Sequence, residues 1–430
     1  MTAPMIRRAG LLLALGLAFG PPSADAAGFS IYEEGARGMG FAGAFTAIAD
    51  DPSAIFHNAA GIAFLKGRQL YAGGVLVNPS TDFTGADPFP GEGRLESMSV
   101  GIIPFPSAYY TQPVGDALAV GVGIHVPYGL RTEWKFPDVF SGRFISTKAQ
   151  LSGFSLNPTV AWKVRDRLAI GGGVDIRFSS VELQRSVPAI DPFTQQVADV
   201  ASVVLQSDTA TDFGFNIGVL AKPAESFSIG AAYRHKVKQS YTGDATFTLI
   251  PTGSAQFDGL VAQTLPAGAI PATTELETPA IASVGVAYRW NDWTVEGDVN
   301  WYGWSAFDEV PITLEGRGDL STIIREDYDD SFQFRIGVDR RLNDEWSVRG
   351  GYFYDPSPSP PESMSPLLPD SDRHGLCAGG SWRRGAFRVD AAAWWLLSQD
   401  RSTEGVSRDH YDGIYSSSAG TLGISVGYSF

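Results

Sequence analysis

The chain has 430 residues, with 47 acidic and 32 basic side chains and a formal net charge of −15. This acidity argues against a nucleic-acid partner, and an apolar fraction of 44% excludes a disordered chain. Because 49 glycines and 27 prolines are more than a helical protein tolerates, the composition favours an all-β fold.

Residues 1–26 have the features of a secretory signal peptide. Two arginines precede an apolar run at positions 11–19, and a small-residue cleavage motif ends at Ala26. The run is too short for a membrane helix, and no later stretch approaches the roughly eighteen uninterrupted apolar residues that such a helix needs. We therefore expect an exported protein, either soluble outside the cytoplasm or held in a membrane without helices.

Residues 27–68 are rich in glycine and alanine and show little strand alternation. Their large apolar side chains are too numerous for a solvated linker. These side chains are Phe29, Ile31, Met39, Phe41, Phe45, Ile48, Ile55, Phe56 and Phe64. We expect an N-terminal hatch that fills the lumen of the barrel predicted by the following residues, since a wide barrel would otherwise leave an aqueous channel. A flexible periplasmic tail is the alternative.

Alternation of apolar and polar residues marks the chain from about residue 69 onward. In positions 293–302, the face from Trp293 to Trp301 is apolar, whereas the other face carries Glu296, Asp298 and Asn300. Bulky residues recur eight positions apart on such apolar faces: Trp293 and Trp301, Trp346 and Tyr354, Phe387 and Trp395, Leu422 and Phe430. Eight residues span roughly 26 Å, or about 20 Å along a tilted strand, close to the apolar band of an outer-membrane barrel with aromatic girdles. The core of a soluble sandwich is the alternative.

Fourteen segments alternate in this way, an even number. They are 69–84, 94–113, 116–127, 149–163, 167–185, 208–221, 226–248, 274–290, 293–309, 328–341, 346–356, 372–384, 386–400 and 417–430. Short connections alternate with long ones, as periplasmic turns alternate with outer loops. The sequence therefore predicts a transmembrane antiparallel β-barrel of about 14 strands over residues 69–430, in the outer membrane of a Gram-negative bacterium.

Short motifs along the mature chain carry more specific information. They are Ala27-Gly28-Phe29, Gly38-Met39-Gly40, residues 47–51, Asn58-Ala59-Ala60, residues 128–134 and 142–144, Asn157-Pro158, and residues 352–358 and 369–373. In this order they are similar to the outer-membrane long-chain fatty acid transporter family, FadL and its aromatic-hydrocarbon channel relatives. The family usually has Asn-Pro-Ala where this chain has Asn58-Ala59-Ala60, so the hatch motif is expected to be less rigid there.

The resemblance implies a passive channel for hydrophobic compounds, most of all long-chain fatty acids. Ligand would be captured at outer loops, bound in the lumen, and released sideways through a strand kink. The family places luminal ligand against the N-terminus, which carries over to Gly28 and Phe29. An aromatic-hydrocarbon channel of the same architecture and a general porin are the alternatives.

Two long loops supply apolar surfaces for capture. Residues in 185–208 approximate helical spacing, and 248–274 give a second surface. The candidates are Ile190, Phe193, Val197, Val200, Leu260, Val261 and Leu265. Because the family captures ligand at its third and fourth outer loops, the resemblance implies that role here. Side chains that simply pack the loops shut are a compatible alternative.

Proline and glycine are concentrated in the second and third predicted strands. Pro127 closes the third strand, around Gly121 and Gly123, and three prolines lie in the second. Since proline cannot donate to a strand ladder, we expect interrupted pairing here. The family has a kink in its third strand, so the resemblance places the lateral exit at Gly121, Gly123 and Pro127. The alternative is that the prolines merely end strands above the membrane.

A carboxylate ligand would need a cation in the lumen. Six inward-facing arginines are available: Arg177, Arg234, Arg289, Arg335, Arg349 and Arg388. Each has acidic neighbours on the same face, so pairing is the expectation and the sequence selects none of them.

The sequence predicts no cofactor, metal or enzymatic activity. Cys377 is the single cysteine, and the five histidines lack ligand spacing. An outer-membrane hydrolase would need serine, histidine and an orienting acid or amide on one barrel face, and no nucleophile motif surrounds His125 or His235. The expected partners are a fatty acid or other hydrophobic small molecule, outer-membrane lipid and lipopolysaccharide, and the assembly machinery through Phe430. We expect a monomer and no nucleic acid.

Overall fold

A computed structural model describes residues 28–430, so the predicted signal peptide lies outside the described residues. The described chain contains β1 (Gln69–Gly85), β2 (Leu95–Ser97), β3 (Ile103–Val114), β4 (Leu118–His125), β5 (Leu130–Glu133), β6 (Lys148–Arg165), β7 (Leu168–Ile190), β8 (Val197–Ser207), β9 (Ala210–Ala224), β10 (Phe227–Arg234), β11 (Val237–Leu249), β12 (Gly268–Thr278), β13 (Ile281–Trp290), β14 (Trp293–Tyr302), β15 (Glu309–Leu314), β16 (Thr322–Arg325), β17 (Ser331–Arg341), β18 (Trp346–Asp355), β19 (Arg373–Arg384), β20 (Phe387–Ser398), β21 (Arg401–Ser402) and β22 (Gly413–Ser429).

Fourteen of these strands form one closed antiparallel barrel. Around the wall they are β1, β3, β4, β6, β7, β9, β10, β13, β14, β17, β18, β19, β20 and β22. The ring closes between the first and last strands, where Gln69 lies opposite Ser429 and Gly85 opposite Gly413. The predicted fold and strand number are confirmed. The other eight strands extend the wall or its loops on the side of the long connections.

The barrel has its apolar side chains outside and its polar side chains inside. Ile336 and Leu422 are 52% and 63% exposed on the outer surface, whereas Glu296 and Asn300 are completely buried. Such a surface suits hydrocarbon rather than water, and closure leaves the wall without unpaired strand edges.

Two strands predicted as continuous are each divided. Segment 226–248 becomes β10 and β11, and segment 274–290 becomes β12 and β13. β10 and β13 pair with each other in the wall, whereas β11 and β12 pair with each other in an outer layer beside β8 and β15. Pro279 stands between β12 and β13, where a residue without an N–H interrupts the ladder. Single-sequence alternation could not detect these breaks, because the alternation continues across them.

Three short helices precede the first strand. They are α1 (Ala36–Gly40), α2 (Ala54–His57) and a 3-10 helix (Ala59–Phe64), and almost all of their residues are buried inside the barrel. A fourth helix, α3 (Ala255–Thr264), lies in an outer loop and begins at the Ser254 cap. Within residues 28–430, no helix has both the length and the apolar character for a membrane span.

The helical spacing expected in loop 185–208 is wrong. This segment is the hairpin of β7 and β8, whose residues pair from Glu182 and Gln206 to Ile190 and Val197. Valine and isoleucine favour strands, and here pairing with β11 overrides the apparent helical spacing.

Candidate functional site

Two carboxylates on the inner face of β14 hold the segment 45–48. Asp298 Oδ2 accepts hydrogen bonds from the first two backbone N–H groups of the segment, at 3.0 and 3.1 Å. Glu296 accepts from the next two, at 2.5 and 2.8 Å. Four successive backbone donors are thus satisfied by the wall rather than by a helix or strand of their own.

Ion pairs attach the same part of the chain elsewhere. Arg37 of α1 pairs with Asp50, which also reaches Arg289 of β13 at 3.3 Å. Arg388 of β20 lies 4.0 Å from Asp51. Arg37, Asp51 and Arg388 are largely buried, whereas Asp50 and Arg289 are 32% and 40% exposed. The buried pairs give the luminal segment a defined position against the wall.

Asn58 joins two turns of the luminal segment to the wall. Its side-chain oxygen accepts from the Ala60 N–H at 3.2 Å, as an N-cap of the 3-10 helix. Its amide nitrogen donates to the carbonyls of Thr46 and of Val219 in β9, at 2.8 and 3.0 Å. Ala59 takes the first position of this helix, where the family's proline also fits.

Wall glycines make room for this motif. A Cβ at Gly171 would lie 2.6 Å from the Ala59 carbonyl group, and one at Gly218 would lie 2.1 Å from the Asn58 side-chain oxygen. The wall and the luminal segment are therefore in direct backbone contact, without space for a larger residue.

The wall opens where residues 126–129 leave it. β4 ends at His125, and the following chain turns inward to the N-terminal segment: the Ile31 N–H donates to the Pro127 carbonyl at 2.9 Å, and the Gly129 N–H donates to the Phe29 carbonyl at 3.1 Å. Residues 103–107 of β3 pair with β1 but have no partner strand on their other side in the described chain. The gap between these two segments is narrow, because a Cβ at Gly129 would lie 3.1 Å from the Phe105 ring.

Glu34 connects the luminal segment to both sides of this gap. Its carboxyl group accepts from the Val126 N–H at 2.9 Å and from the Tyr109 hydroxyl at 2.7 Å. Burial raises the pKa of Glu34 to about 8, although these two hydrogen bonds lower it.

The break lies beyond both glycines named from the sequence. β3 and β4 pair continuously through Gly121 and Gly123, which face Thr111 and Tyr109. The expected interruption at these two positions is therefore wrong, whereas Pro127 does lie in the break. Glycine at these positions instead leaves room for Ile55 of the luminal segment, since a Cβ at either position would come within 3.0 Å of Ile55.

Gly28 and Phe29 lie at the inner end of an apolar cavity. Phe29 is buried and packs edge-on against Trp304 and Phe307, at centroid distances of 4.9 and 5.2 Å. It lines a cavity of about 50 Å³ whose wall is almost entirely apolar. Gly28 has φ of +57°, and a Cβ there would lie 2.3 Å from the Trp304 ring, so both conformation and space require glycine.

A larger cavity of about 300 Å³ lies on the outer side of the small one. The two share Leu183, Ile324, Glu326 and Leu367 in their walls, so they adjoin one another. The outer cavity has apolar walls together with a cluster of charged side chains that includes Arg185 and Asp409. Burial, assisted by the Asp409 charge, raises the pKa of Glu326 and favours its neutral form at the junction.

The predicted capture residues have different environments. Val200 and Val261 are buried together with Phe257, and Leu265 packs against them, so these side chains hold α3 against the β7–β8 hairpin. Four others remain at the surface with 43–63% exposure: Ile190, Phe193, Val197 and Leu260. None of the seven lines the outer cavity, whose apolar wall comes from neighbouring positions such as Val203, Leu205 and Phe247.

The six luminal arginines all have partners, but only four of them pair with an acid of the wall, as their acidic neighbours indicated. Arg177 and Arg234 pair with Asp175, Arg289 with Asp50, Arg349 and Arg388 with Asp390, and Arg335 binds the Ala42 carbonyl and Gln333. Arg185 was missed, because in sequence it is an ordinary loop cation. It lies along the outer cavity, and it forms no ion pair within 4.0 Å in the part of the chain described.

Ser155 and His125 are opposite one another on β6 and β4, and Asp175 is on the neighbouring β7. The serine hydroxyl and both histidine ring nitrogens lack hydrogen-bond partners within residues 28–430, and Asp175 is held by two arginines. Ser155 and His125 are therefore not hydrogen-bonded to each other in the described chain. In the same residues, no three His, Cys, Asp or Glu side chains are grouped so as to hold a metal ion.

Comparison with known proteins gives matches along nearly the whole chain. The family model described as "Outer membrane protein transport protein (OMPP1/FadL/TodX)" matches residues 17–430. A long-chain fatty acid transport protein of Escherichia coli O6:H1 is 26% identical, over 97% of this chain and 98% of its own length. A 47 kDa outer membrane protein of Pasteurella multocida is 28% identical, over 86% and 87%.

Solved structures share the fold. The crystal structure of a Pseudomonas aeruginosa FadL homologue covers 94% of this chain and 100% of its own, with a TM-score of 0.81 and 22% identity. The Ralstonia pickettii toluene transporter TbuX covers 88% and 94%, with a TM-score of 0.65 and 20% identity.

Proposed function

The chain belongs to the OMPP1/FadL/TodX family of outer-membrane transport proteins, and on this premise we propose that it takes up long-chain fatty acids. It is an outer-membrane β-barrel channel for hydrophobic compounds, as the family and its relatives are. The proposal concerns the substrate, the sites and the path.

The observation that carries the proposal is the two-part apolar route. It runs from the outer cavity, across the shared wall at Leu183 and Ile324, to Phe29. Transfer of each methylene from water into such a route is favourable by about 0.8 kcal/mol, so a long alkyl chain gains affinity without any energy source. The first contact with ligand would be made by the exposed side chains of Ile190, Phe193, Val197 and Leu260. The surface that presents them would be shaped by the buried Val200 and Val261 and the partly buried Leu265.

Arg185 favours a carboxylate over an aromatic hydrocarbon. An unpaired guanidinium beside apolar walls gains a partner when a fatty acid binds, and the charge-assisted hydrogen bonds fix the head group in the outer cavity. Toluene offers no such group. We assign Arg185 to the head group and the smaller cavity at Phe29 to the alkyl end.

Residues 126–129 are the proposed exit. In this proposal the gap beside Phe105 opens to the membrane, and the Phe29 carbonyl group holds the segment through the Gly129 N–H. Displacement of Phe29 by ligand would loosen Pro127 and let the alkyl chain pass into the outer leaflet. Gly121 and Gly123 would contribute indirectly, by letting the hatch pack close to the kink.

Residues 27–68 act as the hatch in this proposal, which distinguishes it from a general porin. The luminal segment, including Asn58, Ala59 and Ala60, is bound to the wall by hydrogen bonds and ion pairs, so ions would not pass freely. We further propose that the protein works as a monomer, without a cofactor or enzymatic activity, among outer-membrane lipid and lipopolysaccharide, and that Phe430 serves its assembly.

The test begins with the ligand. Purified barrel would be incubated with labelled oleate and challenged with unlabelled oleate or toluene. We expect displacement by long-chain acids only, and about 10- to 150-fold weaker oleate binding in Arg185→Gln, since a hydrogen bond to a charged group contributes about 1.5–3 kcal/mol. Toluene competing as well as oleate, with Arg185→Gln unchanged, would favour the aromatic-hydrocarbon channel. Arg401→Gln, an outer-loop arginine that does not line the outer cavity, is the matched control.

A further inference from the structure

Four cations are concentrated at one point of the periplasmic rim. Lys163, Arg165 and Arg167 surround the turn between β6 and β7, and Lys222 stands near the end of β9. None of them has a carboxylate partner within 4.0 Å in residues 28–430, although Asp166 and Glu225 are nearby in sequence. In a chain of net charge −15, this is a local excess of positive charge.

Backbone and ring contacts fix the position of these cations. The Lys222 N–H donates to the Arg167 carbonyl at 2.8 Å, and the Arg167 guanidinium donates to the Pro223 carbonyl at 2.8 Å. The ammonium groups of Lys163 and Lys222 lie 5.9 and 4.1 Å from the Phe64 ring centre. Phe64 belongs to the luminal segment, so these two ammonium groups face the lumen, and the outer side of the rim is left with the two arginines.

An apolar groove lies directly above this rim, on the outer wall of the barrel. It has a volume of about 640 Å³ and crosses β6, β7, β9 and β10. Trp162, Ile170, Val219 and Tyr233 line it, and Gly172 and Ala231 contribute only backbone or a methyl group. Trp162 is 47% exposed on the outer face, and Arg165 pairs with Leu168 beyond a bulge, on the same face as Ile170, so the groove begins beside Arg165.

We infer that this surface binds an anionic glycerophospholipid of the periplasmic leaflet. The phosphate would lie against Arg165 and Arg167, and an acyl chain would occupy the groove beside Trp162. An interfacial tryptophan between a polar head and an apolar tail fits this placement, and unpaired cations next to hydrocarbon select for anionic lipid. The site lies outside the barrel and is separate from the fatty acid route.

Native mass spectrometry tests the site on the full mature barrel in detergent. The protein would be offered equal amounts of phosphatidylglycerol and phosphatidylethanolamine. We expect wild type to retain phosphatidylglycerol preferentially and Arg165→Gln/Arg167→Gln to retain it about 30-fold more weakly, with phosphatidylethanolamine unchanged. Ala231→Leu, which fills the groove without altering charge, should weaken retention of both lipids.

Arg340→Gln/Arg341→Gln is the matched control, because it removes two cations from a different periplasmic turn. It should keep the wild-type lipid ratio. Equal phosphatidylglycerol retention in wild type and Arg165→Gln/Arg167→Gln would overturn the inference, as would an equal loss in the control. Oleate binding by each folded variant is measured in parallel, and it should be unchanged, so failure here is distinguishable from failure of the uptake proposal.

Discussion

Replacement of Asp298 by alanine should release part of the hatch from the wall. The carboxylate accepts the backbone N–H groups of Phe45 and Thr46, and the Thr46 hydroxyl at 2.7 Å. Alanine leaves two buried backbone donors without an acceptor, at about 1–3 kcal/mol each. The attachment of the hatch should therefore weaken by about 2–6 kcal/mol.

Weaker attachment of the hatch can be measured directly as ion conductance through the barrel. Even the lower figure raises the population of a displaced hatch roughly 30-fold, and a fourteen-stranded barrel without its hatch leaves an aqueous channel. In planar bilayers we expect rare openings for wild type and frequent openings for Asp298→Ala. Protease added on the periplasmic side should also cleave within residues 40–50 faster in the variant.

Asp292→Ala is the control for this experiment. Asp292 lies just before the same strand, but it is exposed and pairs with Arg341 rather than with the hatch. Its conductance should match wild type. If Asp298→Ala shows wild-type conductance and protection while its barrel remains folded, the hydrogen bonds of β14 do not hold the hatch, and the reasoning fails.

Three further predictions concern the hatch and its junctions. Phe29→Ala should reduce oleate uptake several-fold while the barrel still folds, and unchanged uptake kinetics would remove Phe29 from the site. Ala59→Pro should raise stability by about 0.4–1 kcal/mol in thermal unfolding, because proline suits the first helical position and restricts the unfolded chain, and a lower melting temperature would contradict this. Glu34, with its pKa raised from 4.5 to about 8, binds more protons in the folded state, so its contribution to stability should fall as pH rises between these values. His57, with its pKa lowered from 6.5 to about 4, opposes this trend below pH 6.5, so the decline should be clearest from about pH 6.5 to 8. It should be smaller in Glu34→Gln but not absent, because burial also raises the pKa of Glu326.

The barrel could be predicted from the sequence because the alternation of apolar and polar residues is a local pattern. Apolar and polar side chains alternate along each wall strand with a period of two. Positions such as Glu296 and Asp298 therefore indicate the polar inner face from the sequence of one strand alone. The strand number followed from the same local signal. The division of 226–248 into β10 and β11 did not, because it depends on which strands pair across the wall and which pair in the outer layer.

Site residues were less predictable, since their roles depend on distant partners. Gly121 and Gly123 suggested a flexible strand, but their small size is explained by contact with Ile55, more than sixty residues earlier. Arg185 carries no sequence signal, and only the cavity around it distinguishes it from the paired arginines. The resemblance identified Phe29, and the structure adds that it contacts both the cavity and the kink.

The contacts of Phe29 suggest how binding and release are coupled. Its side chain ends the ligand route, whereas its carbonyl group accepts the Gly129 N–H of the segment that leaves the wall. A ligand that displaces the ring must therefore also strain this hydrogen bond. The rest of the hatch is fixed by charged and amide groups such as Asp298 and Asn58, which an alkyl chain cannot replace. In the proposed mechanism, the apolar N-terminal end would thus yield to a hydrophobic ligand while the polar part of the hatch would continue to close the lumen to ions.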